Sequence, residues 1–263
     1  MTQQEIDATE APLIEHLIEL RKRLVYCILG FVTAFIVSFF FSSDILRILV
    51  LPFKWGTGGD VSLISIRLLG VFMVKLKIAF FGGLFIAFPL IAIQIYRFVA
   101  PGLFANERKA FRPYLMATPV FFLLGAALVY FFLLPVAIGF FYSLAAATGD
   151  TGQTAVELMP DIEAYLDFVM MLILAFGLCF QLPVVLTLLG QIGIVSYDQL
   201  RSGRKFAVVG VFVLAAVLTP PDPISQIAMA VPLLGLYEVS VQAVRFIEAR
   251  RKKAEAAKDA AAV

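Results

Sequence analysis

Leu24-Val25-Tyr26-Cys27-Ile28-Leu29-Gly30-Phe31-Val32-Thr33-Ala34-Phe35-Ile36-Val37-Ser38-Phe39-Phe40-Phe41 is an unbroken apolar run directly after the charged triplet Arg21-Lys22-Arg23. Basic residues followed by an apolar stretch imitate a secretory signal. The imitation fails because the run exceeds a typical signal core, no small-x-small cleavage site follows it, and further runs come after it. Its length suits a helix that crosses a hydrocarbon core, which takes roughly 20 residues at ~1.5 Å each.

Comparable runs follow, so spans are expected near 24–42, 78–99, 114–141, 164–190, 206–219 and 224–243, the last two short. The composition agrees. With 61% apolar residues, 15% charged residues and a mean hydropathy of +0.95, the chain lacks the polar surface of a water-soluble globule. The expected fold is therefore an all-α polytopic membrane protein, since backbone exposed to lipid must satisfy its own hydrogen bonds. Residues 1–246 read as a single six-span membrane domain, and 247–263, rich in Ala, Lys and Glu, as a solvated, frayed tail. Pro89, Pro119, Pro135, Pro183 and Pro232 fall inside spans and bend them. Bent helices can build a concave wall; a packing role alone is the competing reading.

Charge orients the chain, because Lys and Arg are retained on the cytoplasmic side. One face collects sixteen basic residues, in the groups Arg21 to Arg23, Arg97 to Arg112, Arg201 to Lys205 and Arg245 to Lys258; the other holds five, Arg47, Lys54, Arg67, Lys75 and Lys77. Both termini are thus expected in the cytoplasm. The long connections 43–77 and 142–163 fall outside, where Pro52, Trp55 and Gly56 to Gly59 suggest a partly ordered extracytoplasmic cap. Lys75 and Lys77 then lie at or above the outer interface, the second helix beginning outside the membrane; placed within it they would be costly and functional.

His16 is the only histidine, so a Ser-His pair, a histidine-rich metal site and a bis-histidine haem lack their parts. Cys27 and Cys179 sit in apolar runs, with nothing to pair them. No catalytic residue, metal or cofactor is expected, and no nucleic acid. A small-solute secondary transporter is the alternative class, but it calls for midplane charges and internal repeats, and neither is visible. The nearest midplane polar group is Gln181, beside Pro183; it reads as a binding amide or as an interhelical hydrogen bond.

Acidic groups on the basic face are more informative. Glu15 and Glu19 lie one turn apart on an amphipathic helix opposite Leu13, Leu17, Leu20 and Leu24, and Glu19 has Arg23 one turn on. Glu107 follows Asn106, the candidate N-cap of the third span, so a first-turn charge also explains it. Both readings stand for each carboxylate.

Three motifs carry a family resemblance: Leu17-Ile18-Glu19-Leu20-Arg21-Lys22-Arg23-Leu24; Phe98-Val99-Ala100-Pro101-Gly102-Leu103 with Glu107-Arg108; and Leu218-Thr219-Pro220-Pro221-Asp222 with Ser225-Gln226. In this order, over about residues 12–245, they resemble TatC, the multi-pass component of the twin-arginine translocase. The resemblance implies a non-enzymatic receptor and scaffold in a bacterial cytoplasmic membrane, with an organelle-encoded form as the other source. It would export folded proteins bearing twin-arginine signal peptides, driven by the proton-motive force, with TatA-like and TatB-like single-span partners and self-association in a larger complex. It implies signal-peptide binding by Glu19, Phe98 and Glu107 with support from Arg21 and Pro52. Partner contacts are expected at Gln181, Pro183, Thr219, Pro220, Pro221, Asp222 and Gln226. Carboxylates suit the task, because a guanidinium takes planar, bidentate acceptors. Many family members carry Glu where Gln181 stands, so a role that needs negative charge there is weakened.

Overall fold

A computed structural model describes residues 3–59, 63–99, 112–149, 160–218 and 223–261. Their regular structure is helical: α1 (Gln3–Phe40), α2 (Ser42–Thr57), α3 (Gly70–Val99), α4 (Arg112–Leu128), a π-helical turn (Val129–Leu133), α5 (Leu134–Gly149), α6 (Ile162–Cys179), α7 (Leu182–Gln191), α8 (Tyr197–Ser202), α9 (Arg204–Leu218) and α10 (Pro223–Ala261). Among the described residues, five segments are long and apolar enough to cross a membrane: His16–Phe40, Gly70–Phe98, Pro113–Ala145, Ile162–Gln191 and Ser225–Lys253. The span expected at 206–219 is helical as α9, but it has only 15 residues, roughly 22 Å of helix.

Two compact units make up the chain, Met1–Leu46 with Val71–Pro119, and Arg47–Gly70 with Val120–Val263. In the first, α1 and α3 run antiparallel, Gly30 lying against Leu90, Phe35 against Gly83 and Ser38 against Gly82. Glycine permits the approach: a Cβ on Gly83 would come within 2.9 Å of the Phe35 Cα. The opposite side of α1 leaves Leu24, Ile28, Leu29, Val32 and Ile36 exposed, a surface that lipid covers at no cost and water does not.

The second unit is centred on Phe176, Leu134, Leu166, Leu172, Met229 and Leu233, all fully buried. Its bends trace to proline. The π turn ends where the Leu134 N–H donates to the Val129 carbonyl, immediately before Pro135, which has no N–H to continue the ladder. The fourth expected span is likewise two helices, α6 and α7, parted at Phe180-Gln181 just ahead of Pro183.

The connection 43–77, expected as a partly ordered segment, is mostly helix. Its Pro52 is buried and cannot donate to the Ile48 carbonyl four residues back; the Tyr130 hydroxyl donates there instead at 2.7 Å, and the Tyr165 hydroxyl donates to the next carbonyl, Leu49, at 2.8 Å. The end of this connection meets the start of α6. Ile64 N–H donates to the Pro160 carbonyl at 3.2 Å and Ile162 N–H to the Ile64 carbonyl at 2.9 Å, a one-residue parallel bridge. Beside it Arg67 Nη1 donates to Glu163 Oε2 at 3.3 Å, the carboxylate being buried. α3 starts at Gly70, so Lys75 and Lys77 already lie within helix, eight residues before the expected start at 78.

α10 continues to Ala261 rather than fraying after 246, because Ala, Glu, Lys and Arg are strong helix formers that need no apolar face to stay helical once a buried segment has nucleated them. α8 is fastened to its flank: Leu200 packs with Val241 and Val244, the Tyr197 N–H donates to Glu248 Oε1 at 2.7 Å, and the Tyr237 hydroxyl donates to the Leu200 carbonyl at 2.7 Å.

Candidate functional site

The family motif of α1 and the end of α3 come together in the first unit. Antiparallel packing brings residues 16–26 alongside 94–98, and the two helices border a cavity of about 460 Å³ lined by Ile18, Glu19, Lys22, Arg23, Tyr26, Gln94 and Arg97. One carboxylate and three cations face it. Glu19 does not point freely into this space: Arg23 Nε donates to its Oε1 at 3.0 Å, Arg23 Nη2 donates to the same oxygen, and Arg23 Nη1 donates to Gln94 Oε1 at 3.3 Å. The spacing of one helical turn, Glu before Arg, is the favourable order on a helix. Both side chains keep part of their solvent contact, 32% for Glu19 and 21% for Arg23, so the pair is worth little as a stabilising contact, about 0.3–0.5 kcal/mol. Its place at the mouth of a polar cavity matters more than its energy.

Phe98 lies at the same end of α3, stacked on His16 with ring centroids 4.3 Å apart and planes at 22°. The lone histidine thus serves as a platform that fixes an aromatic ring. Arg21 is exposed and is not among the residues that line the cavity. Glu107 lies outside the described residues, as do Thr219, Pro220, Pro221 and Asp222. Pro52 belongs to the second unit, buried under Tyr130 and Tyr165 as described above.

Of the expected partner-contact residues, Gln181 sits at the break between α6 and α7, where its Nε2 donates to the Gly177 carbonyl at 3.4 Å. The amide bonds back into its own helix. Pro183 is buried in the first turn of α7. Gln226 ties α10 to α9 by donating to the Phe212 carbonyl at 3.3 Å.

Gln94, Arg97, Lys22, Tyr26 and His16 escaped the sequence reading as site residues. Gln94 and Arg97 precede Phe98 by four residues and one, so one helical turn upstream of the motif was the available signal.

A helical membrane protein with several spans and a charged cavity at one end of an apolar helix pair belongs to the polytopic translocators and carriers as a class. The sequence comparisons narrow it: the family described as Sec-independent protein translocase protein (TatC) matches residues 15–232, and the chain belongs to that family. A TatC from Magnetococcus marinus is 41% identical over 251 residues, 95% of this chain and 90% of the relative. The Escherichia coli K12 TatC is 36% identical over 244 residues, 93% and 92% of the respective chains. The fold is similar to a crystal structure of the twin-arginine translocase receptor TatC, with a TM-score of 0.76 at 34% identity, covering 89% of this chain and 99% of that one. These likenesses define a multi-pass protein translocase component and give the solute-transporter alternative no support.

Proposed function

We propose that this chain is the receptor and scaffold of a twin-arginine translocase, which captures paired arginines of signal peptides and organises export of folded cargo driven by the proton-motive force. The observation that carries this reading is the polar cavity at the shared end of α1 and α3, where the Glu19 carboxylate already holds a guanidinium and Phe98 is braced nearby by His16. A site that binds an arginine of its own chain in this way has the acceptor geometry for an arginine of another. Glu107 supplies the second carboxylate in this reading, with Arg21 supporting the site. Six spans are inferred, α9 being the fifth, with both termini in the cytoplasm and the 43–77 and 142–163 connections as the outer cap of a concave wall. The location is the bacterial cytoplasmic membrane. TatA-like and TatB-like single-span subunits are the partners in a self-associated complex, meeting the chain around Gln181, Pro183, the Thr219-Pro220-Pro221-Asp222 turn and Gln226.

Binding of a signal peptide with an Arg-Arg pair, against the same peptide with Lys-Lys, tests this on the full chain in detergent or nanodiscs. Arg-Arg should bind more tightly, Glu107→Ala should sharply weaken capture and Glu19→Ala should weaken it, all with normal insertion; a lost charge-assisted hydrogen bond costs ~1.5–3 kcal/mol. Normal capture by both variants would make the carboxylates ordinary helix-end charges and overturn the reading.

A further inference from the structure

One oxygen of the carboxylate assigned above to an incoming arginine is occupied, so a planar two-point contact is blocked. Arg23 approaches Glu19 Oε1 through Nε at 3.0 Å and through Nη2, while its third nitrogen reaches Gln94 Oε1 at 3.3 Å. A second guanidinium cannot take the same oxygen along the same direction while Arg23 holds it. Gln94 changes what displacement entails: an arginine that lets go of Glu19 still has an amide oxygen on α3 within reach, so it need not be left unpaired at the cavity wall. The adjacent Lys22 and Arg97 also face this cavity, so a freed Arg23 gains nothing by staying between them.

We infer that Arg23 is a built-in competitor of the signal peptide, a guanidinium that fills the Glu19 subsite at rest and retreats to Gln94 when a signal arginine arrives. This rests on the reading of Glu19 as a signal-peptide ligand. The physical consequence is a threshold. Every ligand that takes Oε1 must first break the same internal pair, so apparent affinity falls by one common factor for all such ligands, strong and weak alike. Weak ones, such as lysine-bearing leader sequences, then drop below useful occupancy while strong ones remain above it. Arg23 is in this sense a positioning residue for selectivity in the cell, without altering the intrinsic ratio between ligands.

The test is binding of synthetic Arg-Arg and Lys-Lys signal peptides to the full-length protein in nanodiscs, with Arg23→Gln, Arg23→Lys, Lys22→Gln and Glu19→Gln variants and the Arg23→Gln/Glu19→Gln pair. Arg23→Gln should tighten both peptides by the same factor, roughly twofold, which is what a one-turn helical ion pair of this exposure can withhold. Arg23→Lys keeps the charge but not the fork, so it should tighten them as well, to a lesser extent. It also carries the test if the Gln variant fails to accumulate. Lys22→Gln removes a cation from the same cavity without freeing Glu19, so it should have the smaller effect. In the Glu19→Gln background, Arg23→Gln should lose its effect. Weaker or unchanged binding in both Arg23 variants would overturn the inference, as would an effect of Lys22→Gln equal to that of Arg23→Gln, or one of Arg23→Gln that persists without Glu19. If Glu19→Gln alone left affinity unchanged, the reading of Glu19 itself would fail. If Glu19→Gln weakened binding while the Arg23 variants did not tighten it, only the competitor role would.

Discussion

At the scale of single residues, glycine and proline carry much of the architecture, and they do so through backbone atoms that a substitution cannot move. Gly125 on α4 and Gly177 on α6 face one another's aromatic neighbours: a Cβ on Gly125 would lie 2.7 Å from the Phe176 carbonyl oxygen, and one on Gly177 would lie 2.5 Å from the Phe122 ring. The ring of Phe122 can turn; the carbonyl of Phe176 cannot without moving α6. Gly125→Ala is therefore expected to destabilise the protein by ~1–3 kcal/mol, as overpacking does. Gly210 in α9 meets nothing within 4 Å. There Gly210→Ala should stabilise by ~0.4–1 kcal/mol, through the entropy a helical glycine loses. Thermal unfolding of the two variants in one detergent measures both; a Gly125→Ala midpoint at or above that of the parent would show that the helices can part without cost. The pairing of Glu19 with Arg23 was legible in the sequence, because partners one turn apart follow from helical periodicity alone. Gln94 was not, since it stands 71 residues from Arg23 and only the antiparallel packing of α1 on α3 joins them.

At the scale of elements, the long helices could be read directly from apolar runs between charges, because a membrane span has to be continuous and apolar. The same logic missed α2. Asp44, Arg47 and Lys54 interrupt its apolar residues, and Pro52 and Gly56 are the residues that end helices in water. The second unit overrides those signals by supplying the Tyr130 hydroxyl for the Ile48 carbonyl that Pro52 leaves without a donor, with the Tyr165 hydroxyl on the next carbonyl. The break at Gln181 was legible only as a bend: Pro183 and the polar Gln181 marked the place within one expected span, and nothing in the hydropathy on either side showed that the helix divides in two there. α9 is the element with the clearest functional expectation. If α9 is the fifth span proposed above, its roughly 22 Å do not cover a hydrocarbon core of about 30 Å, so the bilayer beside it thins, Arg204 and Lys205 snorkel, or neighbouring helices shield it. Adding about five leucines to α9 should leave signal-peptide binding intact while transport falls. Full transport in that variant, measured by export of a folded reporter, would make the shortness incidental.

At the scale of the whole molecule, the sixteen-to-five division of basic residues predicts sidedness, and the exposed positions Ser202 and Gly58 allow it to be read. In a chain with Cys27 and Cys179 replaced, a cysteine at Ser202 should react with an impermeant maleimide only from the cytoplasm, and one at Gly58 only from outside. The reverse pattern would invert the orientation and with it the receptor assignment. The division was legible because it counts charges along the chain. The bridge of Ile64 to Pro160 and Ile162 was not, since nothing local in either stretch names the other. That bridge also fixes an order in time. Arg67 and Glu163 are 96 residues apart, and α3, α4 and α5 lie between them. At a synthesis rate of ~5–20 residues per second, the segment around Ile64 waits on the order of 5–20 s for its partner to leave the ribosome. Until then Ile64 has no pairing strand, and when Glu163 emerges its burial depends on finding Arg67 already in place. Closure of the bridge is thus a molecular receipt that the two intervening spans have been synthesised, issued only to a chain whose middle is complete.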